Sequence, residues 1–214
     1  MPSSPPSFPP SSPPASATIA GVFVGGASRR MGSPKGLLTL GGRPLVERWL
    51  AVLERLGVPY VLVGARPEYA HLPATTLADS PAGVGPLGGL SALLEHAEAR
   101  GFTAAVAVAC DMPYVDEALL ARLLARGPAP AVAARRDGRW EPFFARYDVA
   151  SLRPLLTSRL AEGRHDLQGL LALASTVELS LTDEERGRLR DWDTPADVAA
   201  DTHADTHAGR ESPP

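Results

Sequence analysis

The chain has 214 residues, 44% of them hydrophobic, and a formal net charge of −3. This length fits one domain with tails, and the weak negative charge implies no general affinity for nucleic acid. The single cysteine, Cys110, excludes an internal disulfide, and no apolar run approaches the ~20 residues of a membrane helix. The first residues also lack the layout of a signal peptide, so we expect a cytoplasmic protein with no membrane or nucleic-acid partner.

The two ends of the chain differ in composition from its centre. Residues 2–14 contain only proline, serine and one phenylalanine, which cannot join a hydrophobic core. Residues 200–207 repeat Ala-Asp-Thr-His, which is more typical of a low-complexity tail than of a metal site. The sequence therefore predicts disordered tails at residues 1–17 and 200–214, and one folded domain at residues 18–199.

Apolar runs and helix-breaking residues alternate through the folded domain. In its first part, strands are predicted at 19–24, 59–63, 75–78 and 102–109, and helices at 44–56, 87–100 and 116–126. This alternation predicts a parallel sheet flanked by helices, in which ligands bind beyond the carboxyl ends of the strands. The second part is less regular, with strands predicted at 130–134, 142–146 and 177–181, helices at 149–160 and 166–174, and a polar turn at 135–140.

The turn after the first strand carries the strongest signal. Gly25 and Gly26 end an apolar run, and Arg29, Arg30 and Lys35 follow within nine residues of them. Glycines allow a ligand to approach the backbone, and successive N–H groups in such a turn form a concave anion site. The pattern predicts a polyphosphate pocket, with an ordinary turn bearing solvated basic residues as the alternative.

Two aspartates directly follow predicted strands. Asp79 ends a short strand and Asp111 ends a long apolar one. Carboxylates held in this way suit Mg²⁺, which prefers hard oxygen ligands and commonly bridges one or two carboxylates to substrate phosphates. Two alternatives stay open, since Asp111 could cap the following helix and Asp79 could be a turn residue in Asp-Ser-Pro.

Two later segments are further candidates. Gly88 and Gly89 begin a predicted helix at a cost in helix propensity, which close approach of a base and ribose, or tight packing against another backbone, would explain. Asp191 and Asp193 alternate in an extended segment and could face one site. Alternatively, Asp193 or Thr194 caps a helix that begins at the next proline.

In this order, the motifs resemble those of the molybdenum cofactor guanylyltransferases, a family of nucleotide-sugar-type nucleotidyltransferases. Each motif alone is unspecific, whereas the ordered set, spanning roughly residues 19–198, is specific. The motifs are Phe23-Val24-Gly25-Gly26, Arg30-Met31-Gly32-Ser33-Pro34-Lys35, Asp79-Ser80, Gly85-Pro86-Leu87-Gly88-Gly89, Cys110-Asp111-Met112-Pro113-Tyr114 and Asp193-Thr194-Pro195.

The resemblance implies a three-layer α/β/α fold with a mostly parallel, Rossmann-like sheet of the nucleotide-diphospho-sugar transferase type. It implies that residues 18–199 form a nucleotidyltransferase domain that uses Mg²⁺ to transfer GMP from GTP to Mo-molybdopterin, with release of pyrophosphate. Transient contact with molybdoenzymes or other cofactor-synthesis proteins is a further expectation.

The resemblance also implies roles for individual residues. The nucleotide-binding residues would be Phe23, Val24, Gly25, Gly26, Lys35, Asp79, Gly88 and Asp111. Asp111 would bind Mg²⁺, with Asp193 as a second candidate ligand. Lys35 would contact the triphosphate, so that Lys35, Asp111 and Arg30 are the catalytic candidates. Arg30 and Arg164 are also candidate anchors for the molybdopterin phosphate.

The chain departs from the family pattern at four positions. Val24 replaces a usual alanine, Pro34 replaces a common aspartate, and Gly64 and Asp193 stand where some members have asparagine. A related cytidylyltransferase branch tends to have Ala-Ala-Gly in the first turn and lacks the Gly-Pro-Leu-x-Gly pattern found at residues 85–89. By resemblance, both differences favour guanine over cytosine.

Other functions remain as alternatives at this point. The same chemistry could serve CTP with molybdopterin, or a sugar phosphate with another nucleotide. A non-catalytic protein that binds a nucleotide or carries molybdopterin is a different class, against which the presence of both Lys35 and Asp111 argues. A dinucleotide-binding oxidoreductase is disfavoured, because the first strand is not followed by Gly-x-Gly-x-x-Gly.

Overall fold

The computed structural model describes residues 18–25, 34–192 and 197–198. The strands are β1 (Thr18–Phe23), β2 (Thr39–Leu40), β3 (Arg43–Pro44), β4 (Tyr60–Val63), β5 (Thr76–Leu77), β6 (Ala104–Ala109), β7 (Ala131–Arg136), β8 (Arg139–Asp148) and β9 (Val177–Glu178). The helices are α1 (Leu45–Arg55), α2 (Pro86–Ala99), α3 (Glu117–Leu124), α4 (Val149–Ala161), α5 (Leu167–Leu173) and α6 (Asp183–Gly187), with 3₁₀ turns at Lys35–Leu37 and Pro67–Tyr69.

Seven of these strands form one mostly parallel sheet in the order β5-β4-β1-β6-β8-β7-β9. Of these strands only β8 runs against the others, because it pairs antiparallel with both β6 and β7. In the parallel part, Phe23 of β1 is level with Val63 of β4 and with Ala109 of β6. The residues that follow these three strands therefore emerge side by side at one edge of the sheet.

Helices cover both faces of the sheet, which confirms the predicted three-layer α/β/α architecture. Along β6, Ala105 and Ala107 pack into one core with α2, α4 and α5, whereas Val106 and Val108 pack into the other with α1 and α3. A strand buried on both faces reads as a continuous apolar run, which is why β6 was recognisable from its sequence.

The main error in the predicted elements concerns the antiparallel part of the sheet. The predicted polar turn at 135–140 is wrong: β7 and β8 extend through most of it, and the turn consists of Asp137 and Gly138. Both residues have positive φ angles, 50° and 75°, as the tight turns that suit the twist of hairpin strands require. The longer strands carry the polar residues of this region into the sheet.

The predicted tails at 1–17 and 200–214 lie outside the described residues, so the domain boundaries stay a prediction. Among the helices of the described segments, none combines the length and the hydrophobicity needed to cross a membrane.

Candidate active site

A cavity of about 600 Å³ opens at the carboxyl ends of β1, β4 and β6. It lies at the edge where parallel α/β sheets usually bind ligands. Six of the residues to which the family resemblance gives a role line it, together with ten others. These six are Phe23, Val24, Gly25, Lys35, Asp79 and Asp111.

An ion pair between Lys35 and Asp111 lies in the cavity wall. The Lys35 Nζ is 2.8 Å from the Asp111 Oδ2, and the two side chains are 21% and 17% exposed. Asp111 follows β6 and Lys35 begins the first 3₁₀ turn, so the sheet and a separate loop bring together residues 76 positions apart. The pair places a cation and a hard carboxylate at one point of the cavity.

The alternative that Asp111 caps the next helix is wrong. The residue that caps α3 is Asp116, whose Oδ1 accepts a hydrogen bond of 2.8 Å from the Leu119 N–H. The Asp111 carbonyl instead accepts a hydrogen bond of 2.9 Å from the Trp192 N–H, which attaches the C-terminal segment beside the cavity. The Asp111 carboxylate is thus left to the cavity and to Lys35.

The turn after β1 uses part of its backbone to bind β4. The N–H groups of Val24 and Gly25 both donate to the Val63 carbonyl, at 2.9 and 3.3 Å. These two amides are therefore already bonded, and the predicted concave anion site is not formed by them. Gly26, a predicted nucleotide-binding residue, and Arg30, a predicted catalytic residue, lie outside the described residues.

Gly64, which directly follows β4, lies too close to Gly25 to carry a side chain. Its φ angle is +105°, and a Cβ placed on it would come within 2.6 Å of the Cα and N atoms of Gly25. A larger side chain would push the two turns apart. This contact accounts for glycine at a position where the family resemblance also allows asparagine.

Gly88 and Gly89, in the second glycine-rich segment, both pack tightly against neighbouring parts of the protein. A Cβ on Gly88 would meet the Pro81 carbonyl oxygen at 2.5 Å, and one on Gly89 would meet the Phe23 ring at 2.9 Å. Tight packing therefore explains both glycines. Gly89 lines the cavity and Gly88 does not, although Gly88 holds the turn after Asp79 by accepting a hydrogen bond of 3.0 Å from the Ser80 N–H.

Sequence reasoning missed Glu141 and Phe143, which form one wall of the cavity with Asp191. Glu141 and Phe143 are two positions apart on β8, so both face the cavity, and the Phe143 ring lies 4.6 Å from that of Phe23. Burial raises the pKa of the Glu141 carboxyl above its ordinary value, Asp191 acts in the same direction, and Arg136 opposes them. The strand alternation of β8 could have revealed this wall, had the strand been predicted at its full length.

One predicted residue, Arg164, stands apart from the cavity. Arg164 is exposed, pairs with Glu162 at 3.5 Å and does not line the cavity, so its predicted role as an anchor has no geometric support. Asp193 lies outside the described residues. Its neighbour Trp192 is fully buried, and the Trp192 Nε1 donates to the Tyr114 hydroxyl at 3.2 Å.

The residues of the cavity suit a metal ion that is bound jointly by the protein and a substrate. They suit a metal ion held by protein side chains alone less well. Within the described segments, no group of three or more His, Cys, Asp or Glu side chains could hold a metal by itself. Mg²⁺ typically takes one or two carboxylates and completes its shell with phosphate oxygens and water. The Asp111 carboxylate, partly exposed in the cavity wall, has the chemistry for such a role.

Comparisons with known proteins agree with this picture. Residues 20–178 match the MobA-like NTP transferase domain. The chain is 38% identical to a molybdenum cofactor guanylyltransferase from Xanthomonas euvesicatoria over 178 residues, which are 81% of this chain and 88% of that relative.

Solved structures share the fold. The crystal structure of molybdopterin-guanine dinucleotide biosynthesis protein A from Archaeoglobus fulgidus matches with a TM-score of 0.71 and 25% identity, over 88% of this chain and 99% of that one. A 2-C-methyl-D-erythritol 4-phosphate cytidylyltransferase from Thermus thermophilus matches with a TM-score of 0.60 and 20% identity, over 87% and 98%. The predicted nucleotide-diphospho-sugar transferase type of fold is therefore confirmed.

Proposed function

Since the chain belongs to the family of MobA-like NTP transferase domains, we propose that it transfers GMP from GTP to Mo-molybdopterin. The products are molybdopterin guanine dinucleotide and pyrophosphate. The observation that carries this proposal is the pair formed by Lys35 and Asp111 in the cavity wall at the carboxyl ends of the parallel strands. The pair supplies a positive charge that can neutralise phosphate oxygens and a negative charge that can hold a divalent cation.

The reaction joins two anions and needs no strong base. A terminal phosphate oxygen of molybdopterin attacks the α-phosphorus of GTP, and the bond from that phosphorus to the bridging oxygen breaks as pyrophosphate leaves. Because the nucleophile is already ionised, the protein acts by alignment and by neutralising charge. The nearby Cys110 thiol is not a competing nucleophile, since burial raises its pKa and keeps it protonated.

Lys35 contributes a positive charge to the triphosphate. Its ammonium group is bonded to the Asp111 Oδ2, and phosphate oxygens of a bound nucleotide offer it further acceptors. A cation at this position stabilises the negative charge that develops as pyrophosphate departs. Arg30 is proposed to add a second cation.

Asp111 is the residue that would hold Mg²⁺, and Asp193 is the second proposed ligand. When bound, Mg²⁺ neutralises phosphate charge and reduces repulsion between the two substrates. The hydrogen bond from Trp192 to Asp111 supports the choice of Asp193, because Trp192 is its neighbour in the chain.

The remaining assignments are part of the same proposal. Phe23, Val24 and Gly25 supply the surface against which the nucleotide binds, and Asp79 supplies a carboxylate that can accept from guanine N–H groups. Gly26 and Gly88 are proposed as further nucleotide contacts. Cytoplasmic location and transient contact with molybdoenzymes or other cofactor-synthesis proteins complete it.

The test is incubation of the protein with Mg²⁺, Mo-molybdopterin and each of the four nucleoside triphosphates, while pyrophosphate release is measured. We expect release with GTP and with no other triphosphate. Release with CTP would identify a cytidylyltransferase, and nucleotide or molybdopterin binding without release would identify a carrier. Release that needs a sugar phosphate in place of molybdopterin would also contradict the proposal.

A further inference from the structure

Arg136 connects two distant parts of the chain at the edge of the cavity. Its Nε lies 2.7 Å from the Glu141 Oε1, and its Nη1 lies 3.1 Å from the Asp191 Oδ1. The same Nη1 donates to the Leu189 carbonyl at 3.0 Å. One guanidinium thus joins the β7–β8 hairpin to the C-terminal segment, over 53 and 55 residues of sequence.

The two carboxylates that Arg136 holds both line the cavity, whereas Arg136 does not. Glu141 is the more buried, with 12% of its side chain exposed against 30% for Asp191. Each uses one oxygen for Arg136, and the second oxygen of each has no hydrogen-bond partner among residues 18–25, 34–192 and 197–198. A single cation therefore fixes two carboxylates that keep acceptor capacity.

An aromatic surface adjoins these acceptors. Phe143 lies next to Glu141 on the same face of β8 and contacts Phe23 directly, with ring centroids 4.6 Å apart, so that the two rings form one aromatic surface of the cavity. Flat rings pack well against such a surface. Carboxylates beside an apolar ring suit a flat heterocycle that presents N–H donors rather than a phosphate, because a phosphate would be repelled by both acids.

Both substrates of the proposed reaction contain a suitable heterocycle. Guanine and pterin share an aminopyrimidinone ring, in which a ring N–H lies next to an amino group. A carboxylate oxygen is the natural acceptor for this edge, since it is ionised and carries no hydrogen.

We propose that Glu141 is a specificity-determining residue that accepts hydrogen bonds from the N–H edge of an aminopyrimidinone ring, and that Arg136 is a positioning residue that holds Glu141 and Asp191 for this purpose. This inference rests on the proposed function, because that function brings two such rings to the cavity. It adds a recognition element on β8 to the nucleotide contacts proposed for the turns after β1 and β5.

The test is the variant Glu141→Gln, with dissociation constants measured separately for GTP and for molybdopterin. The glutamine oxygen can still accept from Arg136, which leaves its amino group opposed to the N–H donors of the ring. We expect the dissociation constant of one of the two ligands to rise about 10–100-fold, with the other unchanged. Turnover at saturating concentrations of both ligands should change far less.

A comparison of GTP with ITP identifies which ring is read, because hypoxanthine lacks the amino group of guanine. If Glu141 reads guanine, the variant loses GTP affinity and its preference for GTP over ITP. If Glu141 reads pterin, that preference is kept and molybdopterin affinity falls. Unchanged dissociation constants for both ligands in a folded variant would overturn the inference.

The role of Arg136 is tested by Arg136→Met, with Arg135→Met as the matched control. Arg135 is its neighbour on β7, but it stacks on Trp140 at 3.8 Å and pairs with Glu178 rather than with a cavity residue. Arg136→Met should weaken the same ligand as Glu141→Gln, and the double variant should be little worse than either. Arg135→Met should change neither dissociation constant.

These outcomes separate the inference from the function on which it rests. If the unaltered protein binds both ligands but releases no pyrophosphate, the proposed function fails while the dissociation constants still decide the role of Glu141. If pyrophosphate is released normally and the single and double variants show independent, additive losses, the function stands and the positioning role of Arg136 is wrong.

Discussion

The two walls of the cavity are built on different principles. The glycine wall, formed by Gly25 and Gly89 with Phe23 and Asp79, relies on close packing, because Gly25 lies against Gly64 and a Cβ on Gly89 would meet the Phe23 ring. The hairpin wall, formed by Glu141, Phe143 and Asp191, relies on side chains held by Arg136. A wall made of close-packed glycines resists any added atom, whereas a wall made of ion-paired side chains can change its chemistry without changing the backbone. We expect the first to hold the nucleotide, and the second to add a further means of discriminating between substrates.

The largest effect is expected where the two walls meet, at Asp111. Asp111→Asn keeps the shape of the side chain and the carbonyl that bonds Trp192, but removes the charge proposed to hold Mg²⁺. Pyrophosphate release should fall by at least about 10²–10³-fold, since charge stabilisation at the reacting phosphate is lost. Initial rates at saturating GTP and Mg²⁺ measure this loss, and circular dichroism checks the fold.

Asp116→Asn is the matched control for that variant. Asp116 lies five residues further on, caps α3 and pairs with Arg188, but does not line the cavity. Asparagine caps a helix about as well as aspartate, so the variant loses only the charge that pairs with Arg188, which should lower the free energy of unfolding by about 1 kcal/mol or less and leave turnover unchanged. Equal losses of activity in the two variants would mean that turnover depends on the conformation of the loop between β6 and α3 rather than on the Asp111 carboxylate.

Lys35→Met should separate the roles of the two charges. Removal of the ammonium group should lower turnover about 10²-fold, because charge on the departing pyrophosphate is no longer neutralised. The same change removes a cation that competes with Mg²⁺ for the Asp111 Oδ2. The Mg²⁺ concentration that gives half-maximal rate should therefore fall, and a titration with Mg²⁺ at saturating GTP measures it. A rise in that concentration would contradict the proposed division of roles.

The glycine wall could be predicted from the sequence because its parts are local. Gly25 lies two residues after β1, Asp79 lies two residues after β5, and Gly89 lies in the first turn of α2. A parallel sheet brings such strand ends to one edge whatever the details of packing. The position of each residue in its own motif was therefore sufficient to place it at the cavity. The packing role of Gly88 and Gly64 depends on segments that approach from elsewhere in the chain, and no single motif contains it.

The hairpin wall could not be assembled in the same way. The two-residue turn Asp137-Gly138 is a recognised hairpin signal, and placing it correctly would have put Glu141 and Phe143 on one strand face. The contact between Arg136 and Asp191 was beyond sequence reasoning, because nothing in either segment specifies a partner some fifty residues away. The predicted roles of Gly26, Arg30 and Asp193 stay predictions.

The rigidity of the glycine wall can be tested at Gly64, with Gly41 as the control. Both have positive φ angles, +105° and +58°, but a Cβ on Gly64 would lie 2.6 Å from Gly25 while one on Gly41 would meet nothing within 4 Å. Gly41→Ala should cost about 1–2 kcal/mol of stability through backbone strain and leave the KM for GTP unchanged. Gly64→Ala should cost more and raise that KM about 10-fold, because the turn that binds nucleotide must shift. Thermal denaturation and initial rates measure both.

The smallest expected effect is a pH dependence that belongs to the hairpin wall. Burial raises the pKa of the Glu141 carboxyl above the value of 4.5 for a free glutamate, and its charged neighbours act on it in both directions: Arg136 lowers the pKa, while Asp191 and Asp137 raise it. On acidification, Glu141 therefore takes up a proton at a higher pH than an ordinary glutamate does. A protonated carboxyl loses part of its capacity to accept from ring N–H groups, so affinity for the recognised ring should fall a few-fold on acidification from neutral pH, and this fall should begin at a higher pH than an ordinary glutamate would give. Glu141→Gln does not titrate and should be weak but flat over this range, whereas Arg135→Met should follow the unaltered protein. Parallel pH profiles for the Gln variant and the unaltered protein would show that another group is responsible for the pH dependence.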